Sequence, residues 1–361
     1  MVRFGSIRAG NGALVGTLTL DAPARLNAQT LAMVDAMLAQ LDAWQADPEV
    51  VAVLVSASGQ RAFCAGGDIR ALYDAMVTPG HLDRGDRFFT HEYLLCHRIR
   101  HFPKPVIAWG FGAIMGGGWG LYSSASHRLL TADAQLAMPE VSIGLFPDVG
   151  ASRWLHALPD GLGRFLALTG SRINAADALA SGAAHGLADA GARAELDKAL
   201  AALHWLGERR HDDDMLDDWL AGFARRHPTP VPAPHWSHER HHVEGLVGGD
   251  RLDDIDARLH RNAGDEGWLA RGCAQYAAGS PTSAALIWRL AERAREIDDD
   301  ALLALETETA HFCLRHGDFR EGVRAKLVDR DGAPRWQPAA LADALAQPLP
   351  CQPAYNAARS T

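Results

Sequence analysis

The segment "VIAWGFGAIMGGGWGLY" (106–122) restricts the possible folds of this chain more than any other. It is apolar enough to be buried, yet six of its residues are glycines. Glycine loses the most backbone freedom on folding, so a chain uses it where the backbone must turn sharply or approach another group closely. The segment follows Pro105 and is marginally short for a membrane span. We therefore predict a buried strand, a turn and a helix here.

A second segment of the same kind lies upstream. "VVAVLVSAS" (50–58) is a continuous run typical of a strand buried on both faces, and "AFCAGGDIR" (62–70) follows it with a glycine turn. Residues 12–20 read as a strand, and apolar residues keep helical spacing over 29–44. Strands and helices alternate to about residue 190, which favours an α/β architecture with crossover connections.

The remaining signals are mostly helical. "HPTPVPAPH" (227–235) has four prolines and predicts an extended linker or loop. Ser280 is a candidate N-cap for the helix that follows it, and Asp298 to Asp300 are candidates for the next helix. We predict an α/β core over residues 1–190 and a helical region over 191–361.

The charge and cysteine content exclude some classes of function. The net charge of −9 argues against a dedicated nucleic-acid or anionic-membrane binder. The five cysteines lack any CxxC pairing, and the N-terminus shows no pattern of a secretory signal. We expect reduced thiols in a cytoplasmic enzyme without a cysteine zinc site.

The glycine segments allow three roles. A phosphate-binding fingerprint is disfavoured because Met115 stands where its third glycine belongs. Two glycine turns at the ends of neighbouring strands would instead bring two backbone N–H groups together as an oxyanion hole, in which fixed amide dipoles stabilise charge on a carbonyl oxygen. The alternative is two tight turns that serve packing alone.

Two carboxylates lie in strongly apolar surroundings. They are Glu140 and Asp148, in "AMPEVSIGLFPDVGASRWL" (137–155). Burial would raise their pKa values and suit them to proton transfer near neutral pH. The alternative is that both end loops, with Asp148 capping a helix that begins near Ala151.

The order and spacing of these motifs resemble the crotonase (enoyl-CoA hydratase/isomerase) superfamily over roughly residues 10–190. "SPTS" (280–283) and "HGDFREGVRAKLVDRDGAPRWQP" (316–338) are similar to its 3-hydroxyisobutyryl-CoA hydrolase branch. The resemblance implies a spiral of ββα units, with residues 1–190 as the acyl-CoA-binding catalytic core. The helices of 191–361 would cover the site or mediate oligomerisation. The same resemblance implies an acyl-CoA substrate, in which coenzyme A is no separate cofactor, and a possible homo-oligomer.

The resemblance also implies roles for individual residues. The oxyanion amides fall on Gly67 and Gly117, and the thioester carbonyl would lie between them. The carboxylates of the hydrolase branch match Glu140 and Asp148, with a further substrate contact at Glu92. Backbone around three residues would hold the adenine and pantetheine of coenzyme A: Ala65, Asp68 and Ile69.

One departure from the hydratases narrows the reaction. Their paired-glutamate mechanism requires a glutamate three residues after the oxyanion glycine, where this chain has Gly120. The resemblance therefore favours hydrolysis of a short β-hydroxyacyl-CoA, namely 3-hydroxyisobutyryl-CoA in valine breakdown. The alternatives are an enoyl-CoA hydratase or double-bond isomerase with Glu140 as its acid–base residue, and a CoA-binding protein without catalysis.

Two further motifs are interpreted without a catalytic role. "HERHH" (238–242) matches H-E-x-x-H, but it follows a proline-rich loop and has no clear third ligand, so we expect no metal site. The acidic run "HDDDMLDD" (211–218) is interpreted as a solvated helix start or loop.

Overall fold

The computed structural model describes residues 1–351 of the 361-residue chain. It contains two compact units, each assembled from separate stretches of sequence. Unit 1 comprises Met1–Gly67, Leu95–Leu136 and Ile173–Pro234. Unit 2 comprises Asp68–Leu94, Ala137–Arg172 and the described part of His235–Thr361.

The strands form two sheets. In chain order they are β1 (Val2–Arg8), β2 (Leu14–Leu20), β3 (Val50–Ala57), β4 (Ala62–Cys64), β5 (Val106–Gly110), β6 (Ala113–Met115), β7 (His127–Leu130), β8 (Gln135–Ala137), β9 (Ile173–Asn174) and β10 (Gly186–Leu187). The larger sheet has the order β1-β2-β3-β5-β7-β10, and the smaller has β4-β6-β8-β9. In the larger sheet β1 runs antiparallel to β2 and every other pair is parallel.

The helices account for most of the remaining chain. They are α1 (Leu31–Ala46), α2 (Ile69–Val77), α3 (Leu82–Arg100), α4 (Gly117–Ser123), α5 (Ala151–Trp154), α6 (Leu162–Thr169), α7 (Ala175–Ala180), α8 (Arg193–Ala201), α9 (Arg209–Arg226), α10 (Trp236–Val247), α11 (Leu252–Arg261), α12 (Trp268–Ala277), α13 (Pro281–Arg293), α14 (Asp299–Arg315), α15 (Asp318–Val323) and α16 (Leu341–Ala346). Short 3-10 helices cover Pro23–Arg25, Glu140–Ile143 and Ala190–Ala192, and a π-helix covers Arg324–Val328.

The core of unit 1 lies between the larger sheet and helices α8 and α9. Strand β3 is buried on both faces, as its continuous apolar run predicts. Side chains of the sheet such as Leu54 and Trp109 pack in one cluster with helical residues such as Leu196 and Phe223. Strand β1, which the sequence analysis missed, is mostly exposed and pairs with β2 over its whole length.

The acidic run 211–218 is interpreted as a solvated segment, but the structure buries one of its aspartates in α9. Asp212 is fully buried, and its two carboxylate oxygens accept the backbone N–H groups of Leu206 and Gly207 at 3.0 and 2.9 Å. A buried carboxylate needs such partners because its charge has left water. One residue of the run therefore anchors the turn before α9.

Unit 2 is mainly helical, and the predicted caps are confirmed. The side chain of Ser280 accepts from the backbone N–H of Ser283 at the start of α13, and Asp298 accepts from Ala301 in α14. The proline-rich stretch 227–235 contains neither helix nor strand, as predicted, and unit 1 ends within it at Pro234. No helix within residues 1–351 combines the length and the apolar character needed to cross a bilayer.

The α/β class and the helical C-terminal region agree with the sequence analysis, since β10 is the last strand along residues 1–351. The compact units differ from the predicted division into 1–190 and 191–361, of which 352–361 lies outside the described residues. The difference arises because 68–94 and 137–172 pack with later helices. Helix α6 contacts α10, for example, and α2 contacts α15.

Candidate active site

Unit 1 contains the two glycine turns, and they lie side by side. Strands β4 and β6 run parallel with Ala62 opposite Ala113, so both strands end at the same edge of the sheet. The turns that follow them include Gly66, with φ +98°, and Gly116, with φ +53°. Residues other than glycine rarely adopt such φ values. The prediction that the two turns follow neighbouring strands is therefore confirmed.

The turns approach each other backbone to backbone. A Cβ atom on Gly66 would lie 3.1 Å from the carbonyl oxygen of Met115 and 3.6 Å from the nitrogen of Gly117. A Cβ on Gly118 would lie 2.3 Å from the carbonyl oxygen of Cys64, which no side chain allows. Packing alone thus requires glycine at position 118.

Gly67 and Gly117 are the residues in these two turns whose amides are assigned to the predicted oxyanion hole. Gly117 is buried and is the first residue of α4, so its N–H has no partner within the helix. Gly67 is half-buried and forms an isolated bridge with Gln29. The structure brings their two turns together; convergence of both amides on one oxygen stays a prediction.

The residues assigned to coenzyme A flank the first turn. The N–H of Ala65 donates to the carbonyl of Leu26 at 3.0 Å, so its carbonyl is the group left for a ligand contact. Asp68 is the N-cap of α2 and accepts from the N–H of Ala71, and Ile69 is the first residue of that helix. A coenzyme A contact at these residues stays a prediction.

Unit 2 brings the three predicted carboxylates into one buried cluster. Glu92 lies on α3, Glu140 begins a 3-10 helix, and Asp148 lies in the loop before α5. Their side chains are only 2, 5 and 3% exposed. Burial is the main cause that raises the pKa of each, and the charge of Asp148 further raises the pKa values of Glu92 and Glu140. Burial and mutual repulsion thus both favour the protonated forms of these carboxyl groups.

Only one of the two carboxylate oxygens of Asp148 has a hydrogen-bond partner among the described residues. The hydroxyl of Tyr93 donates to its Oδ2 at 2.7 Å, while its buried Oδ1 has no hydrogen-bond partner among the described residues. Burial raises the pKa of Asp148 to about 7, although the hydrogen bond from Tyr93 opposes the shift. Such a carboxyl group can exchange a proton at physiological pH.

Glu140 also has a free oxygen. Its buried Oε2 has no hydrogen-bond partner within residues 1–351. An unpaired buried carboxylate oxygen is costly, and such groups concentrate where a ligand or substrate completes the pairing. Glu140 and Asp148 thus each have one buried carboxylate oxygen without a partner among the described residues.

The alternative role of Asp148 as a helix cap is wrong. The N-cap residue of α5 is Gly150, which has no side chain, so the helix has no side-chain cap. The N–H groups of Gly150 and Ser152 donate to the carboxylate of Glu306 instead, at 2.6 and 3.2 Å. The side chain of Asp148 is therefore available for another purpose.

The sequence analysis missed Tyr93 and Glu306. Tyr93 directly follows Glu92, but the sequence does not show where its hydroxyl points. Glu306 did leave a signal, because it takes an apolar position in the helical spacing of Leu302, Ala310 and Cys313, all buried. A glutamate on the buried face of a helix indicates a partner that the sequence alone does not identify.

Gly120 and the histidine-rich motif can also be located. The backbone of Gly120 lies inside α4, and its carbonyl accepts the hydroxyl of Ser124 at 2.8 Å. "HERHH" lies on α10, and Nδ1 of His242 lies 2.7 Å from Oε2 of Glu239. Within residues 1–351 no three His, Cys, Asp or Glu side chains are grouped to hold a metal ion.

All five cysteines are buried, and none forms a disulfide bond. They are Cys64, Cys96, Cys273, Cys313 and Cys351. Burial raises the pKa of the Cys273 and Cys351 thiols to about 11, which keeps them protonated at neutral pH. The expectation of free thiols is confirmed.

Comparison with known proteins gives consistent results. Residues 15–349 match the family described as enoyl-CoA hydratase/isomerase. The mitochondrial 3-hydroxyisobutyryl-CoA hydrolase of Gallus gallus is 33% identical over 90% of this chain and 83% of that protein. The human protein of the same name is 32% identical over 92% and 84% of the two chains.

Solved structures show the same fold over nearly the whole chain. An enoyl-CoA hydratase from Rhodobacter sphaeroides 2.4.1 superposes with a TM-score of 0.80 and is 33% identical, covering 95% of this chain and 94% of that one. A carnitinyl-CoA dehydratase from Mycobacterium thermoresistibile gives 0.79 and 31%, with 94% and 93% covered.

The relatives bear on location as well. The 3-hydroxyisobutyryl-CoA hydrolases named above are mitochondrial, so they give no support to a cytoplasmic location, which stays a prediction. The family match over 15–349, the identity above 30% and the shared fold all agree. The chain belongs to the enoyl-CoA hydratase/isomerase family, in the acyl-CoA thioester hydrolase branch of the 3-hydroxyisobutyryl-CoA hydrolases.

Proposed function

We propose that this enzyme hydrolyses a short β-hydroxyacyl-CoA thioester, 3-hydroxyisobutyryl-CoA, to the free hydroxy acid and coenzyme A. The observation that carries the proposal is the buried pair Glu140 and Asp148, each with one carboxylate oxygen that has no partner among the described residues. The names of the relatives support the choice of substrate.

The amides of Gly67 and Gly117 would bind the thioester oxygen. Negative charge develops on that oxygen when water attacks the carbonyl carbon, and fixed N–H dipoles stabilise it without reorganisation. Their closely packed glycine turns support this role.

Glu140 would activate the attacking water as a general base. It takes one proton as the water oxygen bonds to the carbonyl carbon; the tetrahedral intermediate then collapses, the C–S bond breaks, and the coenzyme A thiolate leaves and is protonated. In the alternative route Glu140 attacks the carbonyl carbon itself, and water hydrolyses the mixed anhydride. The raised pKa of Glu140 suits proton transfer near neutral pH.

Asp148 and Glu92 would bind the β-hydroxyl group of the substrate. The unpartnered Oδ1 of Asp148 is a ready acceptor for a hydroxyl hydrogen. Glu92 lies in the same buried cluster and would contact the other side of the hydroxyl. The proposed reaction requires no metal and no redox cofactor.

The direct test is Glu140→Gln with a thiol-reagent assay for released coenzyme A. We expect a normally folded protein and a loss of kcat of about a thousandfold or more, because the substituted amide cannot accept the proton from water. Glu195→Gln is the matched control; its partner Lys198 lies at 3.2 Å, and both side chains are more than half exposed. Near wild-type activity of Glu140→Gln would refute the role of Glu140.

A hydratase or double-bond isomerase is the second candidate, supported by the names of the two solved relatives. Addition of water to an enoyl-CoA abolishes the absorbance of the conjugated thioester without releasing a thiol. A panel of saturated, β-hydroxy and enoyl thioesters, followed by both readouts, therefore separates the two reactions and identifies the acyl group. Absorbance loss without free thiol would refute hydrolysis.

A further inference from the structure

The loop that carries Asp148 has an unfavourable backbone. Val149, directly after Asp148, has φ +54°, and Gly150 has φ +82°. A β-branched residue is a genuine outlier in the left-handed region, and such conformations persist only where the surroundings impose them. This loop must therefore be held by contacts from elsewhere in unit 2.

The holding contacts come mainly from Glu306 on α14. Its Oε2 accepts the N–H of Gly150 at 2.6 Å, and its Oε1 accepts the N–H of Ser152 at 3.2 Å. The side chain is 1% exposed, so these bonds are not exchanged for water. One carboxylate thus fixes two amides within four residues of Asp148.

A second contact sets the orientation of the Asp148 side chain. The Tyr93 hydroxyl donates to Oδ2, which leaves the buried Oδ1 without a partner among the described residues. Glu306 fixes the backbone of the loop, and Tyr93 fixes the carboxylate on it. The titratable groups that interact with Asp148 are Glu92, Tyr93, Glu140, Glu306 and Cys313.

We propose that Glu306 is a positioning residue, which holds the 148–152 loop so that Asp148 presents Oδ1 to the substrate. The inference rests on the proposed function of Asp148. Glu306 acts through two backbone amides and through its charge. That charge also raises the pKa of Asp148, which gives the role a signature that packing alone lacks.

The test is Glu306→Gln, which keeps the shape of the side chain. The amide retains one acceptor oxygen, but its NH2 group faces an N–H donor and the negative charge is lost. We expect kcat to fall about 10- to 100-fold, as for a catalytic group displaced by a fraction of an ångström to an ångström. KM should change less than threefold.

The second readout is the titration of Asp148, followed by the 13C signal of its carboxyl carbon. We expect its pKa to fall in Glu306→Gln because a neighbouring negative charge is removed. Glu308→Gln, two residues along α14, is the matched control and should change neither readout. Loss of kcat without a shift in the Asp148 titration, or an unchanged kcat, would overturn the proposal.

This design keeps the two hypotheses apart. If the wild-type protein releases no coenzyme A from any thioester, the proposed function fails, whereas the Asp148 titration still tests the coupling to Glu306. Should Glu306→Gln not fold, Glu306→Asp keeps the charge but shortens the reach by one methylene. An unchanged kcat in that variant would equally overturn the proposal.

Discussion

The proposed amide pair of unit 1 (Gly67 and Gly117) is built from backbone, whereas the carboxylate cluster of unit 2 (Glu92, Glu140 and Asp148) is built from side chains. The amide pair consists of backbone in glycine turns, carries no ionisable group and constrains the sequence by forbidding side chains at Gly118. The carboxylate cluster consists of buried side chains whose pKa values are raised. Any pH dependence of activity between about pH 4 and 8 should therefore report on the carboxylates.

After Glu140→Gln, the largest effect is expected from Gly117→Pro, which removes the proposed amide donor. Proline is tolerated at the first position of a helix, so the fold should survive. The loss of one oxyanion donor costs roughly 3–4 kcal/mol, or a hundredfold or more in kcat. The apparent pKa values of the pH–rate profile should stay unchanged, because no titratable group is altered.

The control for that variant is Leu341→Pro, at the first position of α16. The preceding residue, Ala340, has φ −118° and ψ 143°, which a following proline permits. It should retain both fold and activity. Full activity of Gly117→Pro would break the assignment of the amide pair.

A smaller effect on rate is expected from Asp148→Asn, together with a gain in stability. A carboxyl whose folded pKa lies near 7 binds a proton more tightly in the folded than in the unfolded state. Wild-type stability should thus fall as pH rises from about 4 to 7, by at most about 1.4 kcal/mol per pH unit from this group.

Denaturant unfolding at pH 5, 6 and 7.5 measures that slope. Asp148→Asn should flatten it and be relatively more stable at the highest pH, while kcat falls about tenfold, which is ~1.4 kcal/mol of barrier. An equal slope of the unfolding free energy against pH in both proteins would show that ionising the buried Asp148 carboxyl group does not destabilise the fold.

The smallest effect is expected from Tyr93→Phe, which removes the hydrogen bond to Oδ2. The variant should lose about 1–3 kcal/mol of stability and only a few-fold in kcat. The pKa of Asp148 should rise, since the hydrogen bond lowers it. This shift is opposite to that of Glu306→Gln, and equal directions in the two variants would contradict the arrangement around Asp148.

The strands and glycine turns were predictable because their information is local. The run at 50–58 and the turns after β4 and β6 are visible within short windows. The choice of Gly67 and Gly117 within those turns came from the family resemblance. Glu140 and Asp148 could be predicted because carboxylates are conspicuous in apolar sequence.

The rest depends on contacts between distant segments. Glu306 serves a loop 156 residues earlier, and no window of sequence contains both. Asp212 was missed for a different reason: most of the other aspartates in the run are exposed, so composition hid the one that is buried. The compact units also differ from the predicted regions, because continuous regions were assumed where the chain crosses between units five times.

The separation between Gly150 and Glu306 has a consequence for synthesis. A ribosome adding 5–20 residues per second needs about 8–30 s to make the 156 residues between them. During that interval the nascent loop around Val149 has no carboxylate to hold its left-handed backbone. We therefore expect the loop around Asp148 to take this geometry only near the end of translation, and truncated chains that stop before α14 to lack it however well unit 1 folds.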